Sequence, residues 1–189
     1  MDRRQSLRIL GITPLMTRKA IGETHGTAVG VIGIGPSGSG LVERLISEPG
    51  LIGVTATIPR KGKSIEADSQ SIHAALHATR NAAEVLIVAG LGGPWTSPTA
   101  QLVTQHLQLR NQRTHVFATL PFPFEGRERR YRAERLAQQL SMRVTTLYPL
   151  DLSALLSSMP DEAPFNDLVD RIADQLFEVY LRLISRRGT

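Results

Sequence analysis

From residue 27 onward, apolar runs of strand length alternate with stretches in which apolar side chains recur at helical spacing. The runs fall at 28–34, 52–58, 84–89, 114–119 and 143–148, and the helical stretches lie near 38–48, 68–81, 97–109 and 126–141. A strand that reads as a continuous apolar run is covered on both faces, and parallel strands with crossover helices are built that way. The alternation therefore predicts an α/β fold, a doubly wound parallel sheet in a single domain over 27–189. Residues 1–26 mix basic, polar and small apolar side chains without a sustained period and are expected to form an N-terminal tail or an added edge element. Two segments interrupt the pattern: Pro59 to Ser64, basic and glycine-containing, and Ser157 to Pro164, with two prolines.

The last periodic stretch, 164–185, is the most regular. Phe165, Leu168, Val169, Ile172, Leu176, Tyr180, Leu183 and Ile184 share one side, while Asp167, Asp170, Arg171, Asp174, Glu178 and Arg182 share the other. This predicts an outer helix with a wet polar face, and a chain that is complete where it stops.

Composition narrows the classes. With 189 residues, 41% hydrophobic and 21% charged, the chain suits one globular domain. The absence of cysteine removes disulfides, thiolate zinc sites and a cysteine nucleophile together. No apolar run approaches the roughly 18–20 residues of a membrane helix. Arg8, Gly11 and Pro14 interrupt Leu7 to Met16, which makes a poor signal peptide, so a cytoplasmic protein is expected. The net charge is +5, but the arginines are spread over the N-terminus, 127–135 and the C-terminus, without aromatic residues interleaved to stack on bases. Nucleic acid is accordingly not an expected partner.

The chemistry gathers in glycine turns. Gly33-Ile-Gly35-Pro36-Ser37-Gly38 fits G-x-G-x-x-G between a strand and a helix, where bare N–H groups and a helix N-terminus can meet a phosphate. A dinucleotide-binding fold also wants a carboxylate at the end of the second strand. Here that strand ends in Pro59-Arg60-Lys61, two cations that suit a 2′-phosphate and give an NADP-dependent oxidoreductase as one reading. A turn that simply needs glycine is another. The third strand ends in a second glycine turn, Ala89-Gly90-Leu91-Gly92-Gly93, followed by Pro94-Trp95-Thr96-Ser97. Ser97 is expected to cap the next helix with Pro98 at its first position. Trp95, bulky in such a turn, either plugs a pocket or marks a contact surface. His73 and His77 share a helix face at zinc-like spacing, but no third ligand is obvious, and no metal is expected. Arg127 to Arg135, with Glu128 and Glu134, reads either as a phosphate- or partner-binding face or as a solvated helix with pairs such as Glu128–Arg132.

The fourth strand leads into Pro121-Phe-Pro-Phe-Glu125-Gly-Arg-Glu-Arg129-Arg130. With the two glycine turns, this segment resembles the GTP-binding domain of the FtsZ/tubulin family. The family's three loops match Val31 to Gly40, Ala89 to Gly93 and Pro121 to Arg130, and two later matches fall at Pro149-Leu-Asp151 and Asn166-Asp167. The resemblance spans about 28–185. It implies GTP or GDP as the ligand and nucleotide contacts from Gly33, Gly35, Pro36, Ser37, Gly38, Gly90, Gly92, Gly93, Thr96 and Ser97. It further implies that Glu125 and Arg129 touch the nucleotide and that Asn166 faces the base.

The departures from the family are specific. The glycine-threonine run of the second loop has become Gly92-Gly93-Pro94-Trp95-Thr96-Ser97-Pro98, where proline removes N–H donors. The first loop carries Pro36 and Ser39 in place of glycines, and only Arg60 to Ala67 remains of the loop that follows the second strand. The acidic loop beyond the central helix, with which the family completes hydrolysis, has no counterpart. These departures imply a pseudo-GTPase with weak or absent nucleotide binding. It would act by association with itself or with an FtsZ-type filament protein in cell division or the cytoskeleton. A guanine-nucleotide binder with slow or partner-dependent turnover is the alternative.

Overall fold

The structure, a computed structural model, describes residues 29–47, 53–60, 68–160 and 162–186. The expected tail 1–26 and Lys61 of the dinucleotide reading lie outside them.

Five strands form one parallel sheet: β1 (Val29–Ile34), β2 (Gly53–Ile58), β3 (Glu84–Gly90), β4 (Arg113–Leu120) and β5 (Thr146–Asp151). They lie in the order β2-β1-β3-β4-β5. Between them run α1 (Gly35–Ser47), α2 (Ser69–Ala78), α3 (Thr96–Leu109), α4 (Arg127–Ser141), the short α5 (Leu152–Ser157) and finally α6 (Phe165–Ser185). Every residue of β1 is buried, as is every residue of β3 but its last, which is why both read as unbroken apolar runs.

Alternation along the strands sorts side chains into two layers. Val29, Val31, Leu86, Val88 and Phe117 meet Leu41, Val42 and Leu45 of α1 and the apolar face of α6. Ile32, Ile34, Val85, Ile87 and Val116 meet α2, α3 and α4 on the other side. The predicted face of α6 is confirmed: Leu168, Ile172, Leu176, Tyr180 and Leu183 are buried, although Phe165 at its start is exposed. Each fully buried side chain of this size contributes about 1.5–3 kcal/mol.

Three details differ from the sequence reading. The glycine motif does not precede α1 as a whole, because the helix begins at Gly35 and takes in Pro36, Ser37 and Gly38. The last strand is shifted to Thr146–Asp151 and contains Pro149. It is an edge strand, where a missing N–H costs no ladder bond. The third difference is α5, a helix the reading does not contain. Asp151 starts it by accepting the Ser153 N–H at 2.9 Å.

The strand order also bears on ligand class. β3 sits beside β1, whereas the usual dinucleotide fold places its third strand beside β2. The direction of the winding reverses between β1 and β3. Ligands of open α/β sheets bind outside the carboxyl ends of the strands at such a point.

Candidate functional site

Both glycine turns open at that point. The first closes tightly: a Cβ on Gly33 would stand 2.5 Å from the Gly38 carbonyl oxygen, and one on Gly38 would stand 2.2 Å from that of Val88. Only hydrogen fits, so α1 starts directly against β3 and its first N–H groups stay at the sheet's carboxyl edge. Pro36, in the first helical turn, costs the helix nothing there but withdraws one donor from a ligand. Pro36 and Ser37 are exposed.

The second turn folds onto the first. A Cβ on Gly35 would meet Thr96 Oγ1 at 2.9 Å and Trp95 Cζ3 at 3.5 Å, while one on Gly90 would lie 3.7 Å from Ser37 Oγ. Gly92 has φ 91°, a left-handed conformation that suits glycine. Its N–H donates to Ser97 Oγ at 2.8 Å. Ser97 therefore does not cap α3, which starts one residue earlier at Thr96. Its hydroxyl ties down the turn, and Pro98 takes the third helical position. Thr96 also neighbours Gly93, whose Cβ would lie 3.6 Å from Thr96 Oγ1.

Trp95 is 3% exposed, which rules out a surface role. Its ring belongs to the core layer of α2 and α3 and packs against the Gly35 turn. The indole N–H donates to Asp68 Oδ2 at 2.9 Å. Asp68 itself is 1% exposed, so a buried carboxylate holds the indole in place.

The third motif turns through a short 3-10 segment, Pro123–Glu125, into α4. Glu125 Oε1 accepts the Phe122 N–H at 2.9 Å and Oε2 pairs with Arg129 Nη1 at 2.7 Å. Both side chains are thus engaged with their own loop. The backbone of Arg129 packs on the second turn: a Cβ on Gly92 would lie 2.5 Å from the Arg129 carbonyl oxygen. Phe122 is buried and anchors the loop, while Phe124 stacks on it at 4.8 Å between centroids and is exposed.

Arg130, singled out by the sequence only as part of this motif, is the structural latch. It donates to both Asp151 oxygens at 3.0 and 2.6 Å, to Glu134 at 2.6 Å and to the Pro121 carbonyl at 3.1 Å. The guanidinium bonds, aided by the Ser153 N–H, hold the Asp151 carboxyl well below the usual carboxylate range. The ends of β4 and β5 and the start of α4 are joined by this one side chain.

The structure thus brings together Gly33, Gly35, Pro36, Ser37 and Gly38 with Gly90, Gly92, Gly93, Thr96 and Ser97, and sets Glu125 and Arg129 beside them. Asn166 stands in the exposed first turn of α6, a helix packed on α1 and tied to it by the Arg44–Asp170 ion pair. Among the described residues no group of three or more His, Cys, Asp or Glu could hold a metal, and the His77 ring nitrogens lie 2.9 and 2.8 Å from Arg80 Nη1. No described helix is long and apolar enough to cross a membrane. On α4, Glu128 and Arg132 form the anticipated pair. One aromatic residue does stand among the arginines: Tyr131, which is exposed.

Sequence reasoning missed a polar cluster at the opposite, amino end of β3 and β4, in which Glu84 and His115 are buried and Arg113 is exposed. His115 Nε2 and Arg113 Nη1 each lie 3.1 Å from a Glu84 carboxylate oxygen. Its only signal is register, which pairs Glu84 with Arg113 and sets His115 two residues further along.

No protein-family profile matches the chain. Solved structures do resemble it. FtsZ from M. jannaschii, in a point-mutant form, superimposes with a TM-score of 0.70 at 20% identity, covering 96% of this chain and 59% of that one. CetZ1 from Haloferax volcanii, solved as a GDP-bound monomer, gives 0.65 at 18% identity over 80% of this chain and 58% of that one. CetZ2 from the same organism, solved as a GTPγS-bound protofilament, gives 0.64 at 19% over 84% and 58%. The chain spans less than two thirds of the length of each of these proteins. Its sheet, helices and converging turns have the fold of the FtsZ/tubulin-like nucleotide-binding domain.

Proposed function

We propose that this chain is an FtsZ/tubulin-like pseudo-GTPase, a domain of nucleotide-binding fold that works by associating with protein partners, itself or an FtsZ-type filament protein. It holds guanine nucleotide weakly or not at all and does not hydrolyse it. The observation that carries the reading is the Trp95–Thr96 pair lodged against Gly35, where a phosphate would approach the first turn. The state of the carboxylates beside the turns agrees. Asp68 receives the indole N–H, and Glu125 is taken up by Phe122 N–H and Arg129. Hydrolysis needs a group free to orient water and another to meet developing charge. No catalytic residue is assigned.

One observation favours the second reading, a guanine-nucleotide binder with slow or partner-dependent turnover. The close packing of Gly33, Gly38 and Val88 keeps the α1 N-terminus at the sheet edge, the geometry that receives a phosphate. Calorimetric titration of nucleotide-stripped protein with GTP and GDP, beside phosphate-release and FtsZ co-sedimentation assays, separates the two. The first reading expects little or no binding heat, no phosphate release and recruitment into filament pellets. Tight GTP or GDP binding overturns it in favour of the second.

A further inference from the structure

The outermost line of α4, directly opposite its buried residues Ala133, Leu136, Ala137 and Leu140, is Arg127–Tyr131–Arg135. All three are exposed. Arg129, Arg130 and Arg132 on the flanks are neutralised by Glu125, Asp151 with Glu134, and Glu128. Arg127 and Arg135 have no ion-pair or hydrogen-bond partner among the described residues. The outer face of α6, opposite Leu168, Ile172, Leu176 and Leu183, is mainly acidic: Asp167, Asp170 and Asp174 are all exposed, with Arg171 as the cation beside them on the helix. Asp170 is held by Arg44, whereas Asp167 and Asp174 have no partner among the described residues.

We propose that these two stripes are the halves of one interface between copies of this chain, α4 of one copy lying along α6 of the next. The spacing agrees. Eight residues separate the two free arginines and seven the two free aspartates, roughly 12 and 10.5 Å along a helix. Both ion pairs can therefore form at once, with the Tyr131 ring adding apolar area between them. The chain itself carries the complementary charge at matching separation, which argues for a second copy as the occupant over another polyanion.

α4 packs on one face of the sheet and α6 on the other. The contact is consequently heterologous. Each copy keeps one free half, so association propagates into a ring or filament and does not stop at a dimer. It is built from exposed pairs, hence weak and salt-sensitive. The proposal gives the partner-binding reading above a surface, and it rests on that reading.

The test is sedimentation velocity of the full chain over a concentration series at low and high salt, with two charge reversals. One variant is Arg127→Glu with Arg135→Glu, the other Asp167→Lys with Asp174→Lys. None of these residues is paired within its own copy, so circular dichroism of both variants should match the parent, with melting of the second lowered only slightly by the cation that Asp167→Lys places in the first turn of α6. Concentration-dependent species larger than dimer are expected at low salt and should dissolve at high salt. Each variant alone should lose association by roughly tenfold or more, because like charges then face each other. Mixing the two should restore it, since every contact regains opposite charges. Tyr131→Ala should weaken it by a smaller factor that salt does not change. A monomeric parent at low salt overturns the proposal, as does association that survives both reversals or a mixture that stays monomeric. A monomer that binds single-stranded nucleic acid through Tyr131 also overturns it. The partner-binding reading would survive these results if FtsZ co-sedimentation persisted, and would fail separately on tight, hydrolysed GTP.

Discussion

The two ends of β3 and β4 use the same pair of strands for opposite purposes. At their amino ends, polar side chains turn on one another: buried Glu84 meets His115, which is 2% exposed, and the exposed Arg113 closes over it from the solvent side. At their carboxyl ends, what converges is backbone: Gly33 on Gly38, Gly38 on Val88, Gly35 under Thr96, Gly92 against Arg129. Side-chain contacts to Glu84 close the first end. Close main-chain packing shapes the second, where the α1 N-terminus lies at the sheet edge. A parallel sheet makes the asymmetry possible, because all five carboxyl ends and the helix starts that follow them lie along one edge.

That contrast can be broken by mutation, and the largest effect belongs to the glycine end. Gly38→Ala drives a methyl into the Val88 carbonyl, backbone that cannot move aside without shifting β3. A loss of about 3 kcal/mol, the upper end for over-packing, is expected by denaturant unfolding. A loss below 1 kcal/mol would mean the α1–β3 approach is looser than described. Next is Trp95→Phe, which keeps most of the ring but removes the N–H that Asp68 accepts. A loss of about 1.5–3 kcal/mol is expected for a buried bond to a charged group.

The amino end should be distinguished by pH dependence more than by size. Burial lowers the pKa of His115, against the pull of Glu84. A group depressed on folding resists protonation in the native state. Its stabilising effect is thus full above the unfolded value, about 6.5, and is lost as pH falls through and below it. His115→Gln should flatten the wild-type fall in melting temperature between about pH 7 and 5. An unchanged slope would place the titration elsewhere. The smallest effect is expected for Asp151→Asn at the β5 end. Asp151 is depressed by the Arg130 bonds, so its contribution is present above about pH 4 and disappears on acidification. With both groups partly exposed, about 1 kcal/mol at neutral pH is the expected loss, discounted for solvent.

The sequence was most legible where burial is two-sided. β1, β3 and β4 read as apolar runs because helices cover both faces. At β5 only one neighbour constrains the strand, so Pro149 is tolerated and the apolar run at 143–148 misplaces it by three residues. α5 is six residues long, too short for helical periodicity to register. The glycine turns were legible because their spacing is local. What remained hidden joins residues far apart along the chain: Trp95 to Asp68 across 27 residues and His115 to Glu84 across 31. Neither Ser97's turn toward Gly92 nor the mutual pairing of Glu125 and Arg129 can be read from motif spacing, since both depend on how the loop closes.

Trp95 has one more consequence. It is the chain's only tryptophan, so all indole fluorescence originates 3.5 Å from where a side chain on Gly35 would begin. Buried and anchored to a carboxylate, the ring should emit at short wavelength. Whatever settles on the first turn must disturb that environment. The protein therefore carries an intrinsic optical reporter at the place where its ligand question is decided, and unlabelled material in a cuvette is enough to consult it.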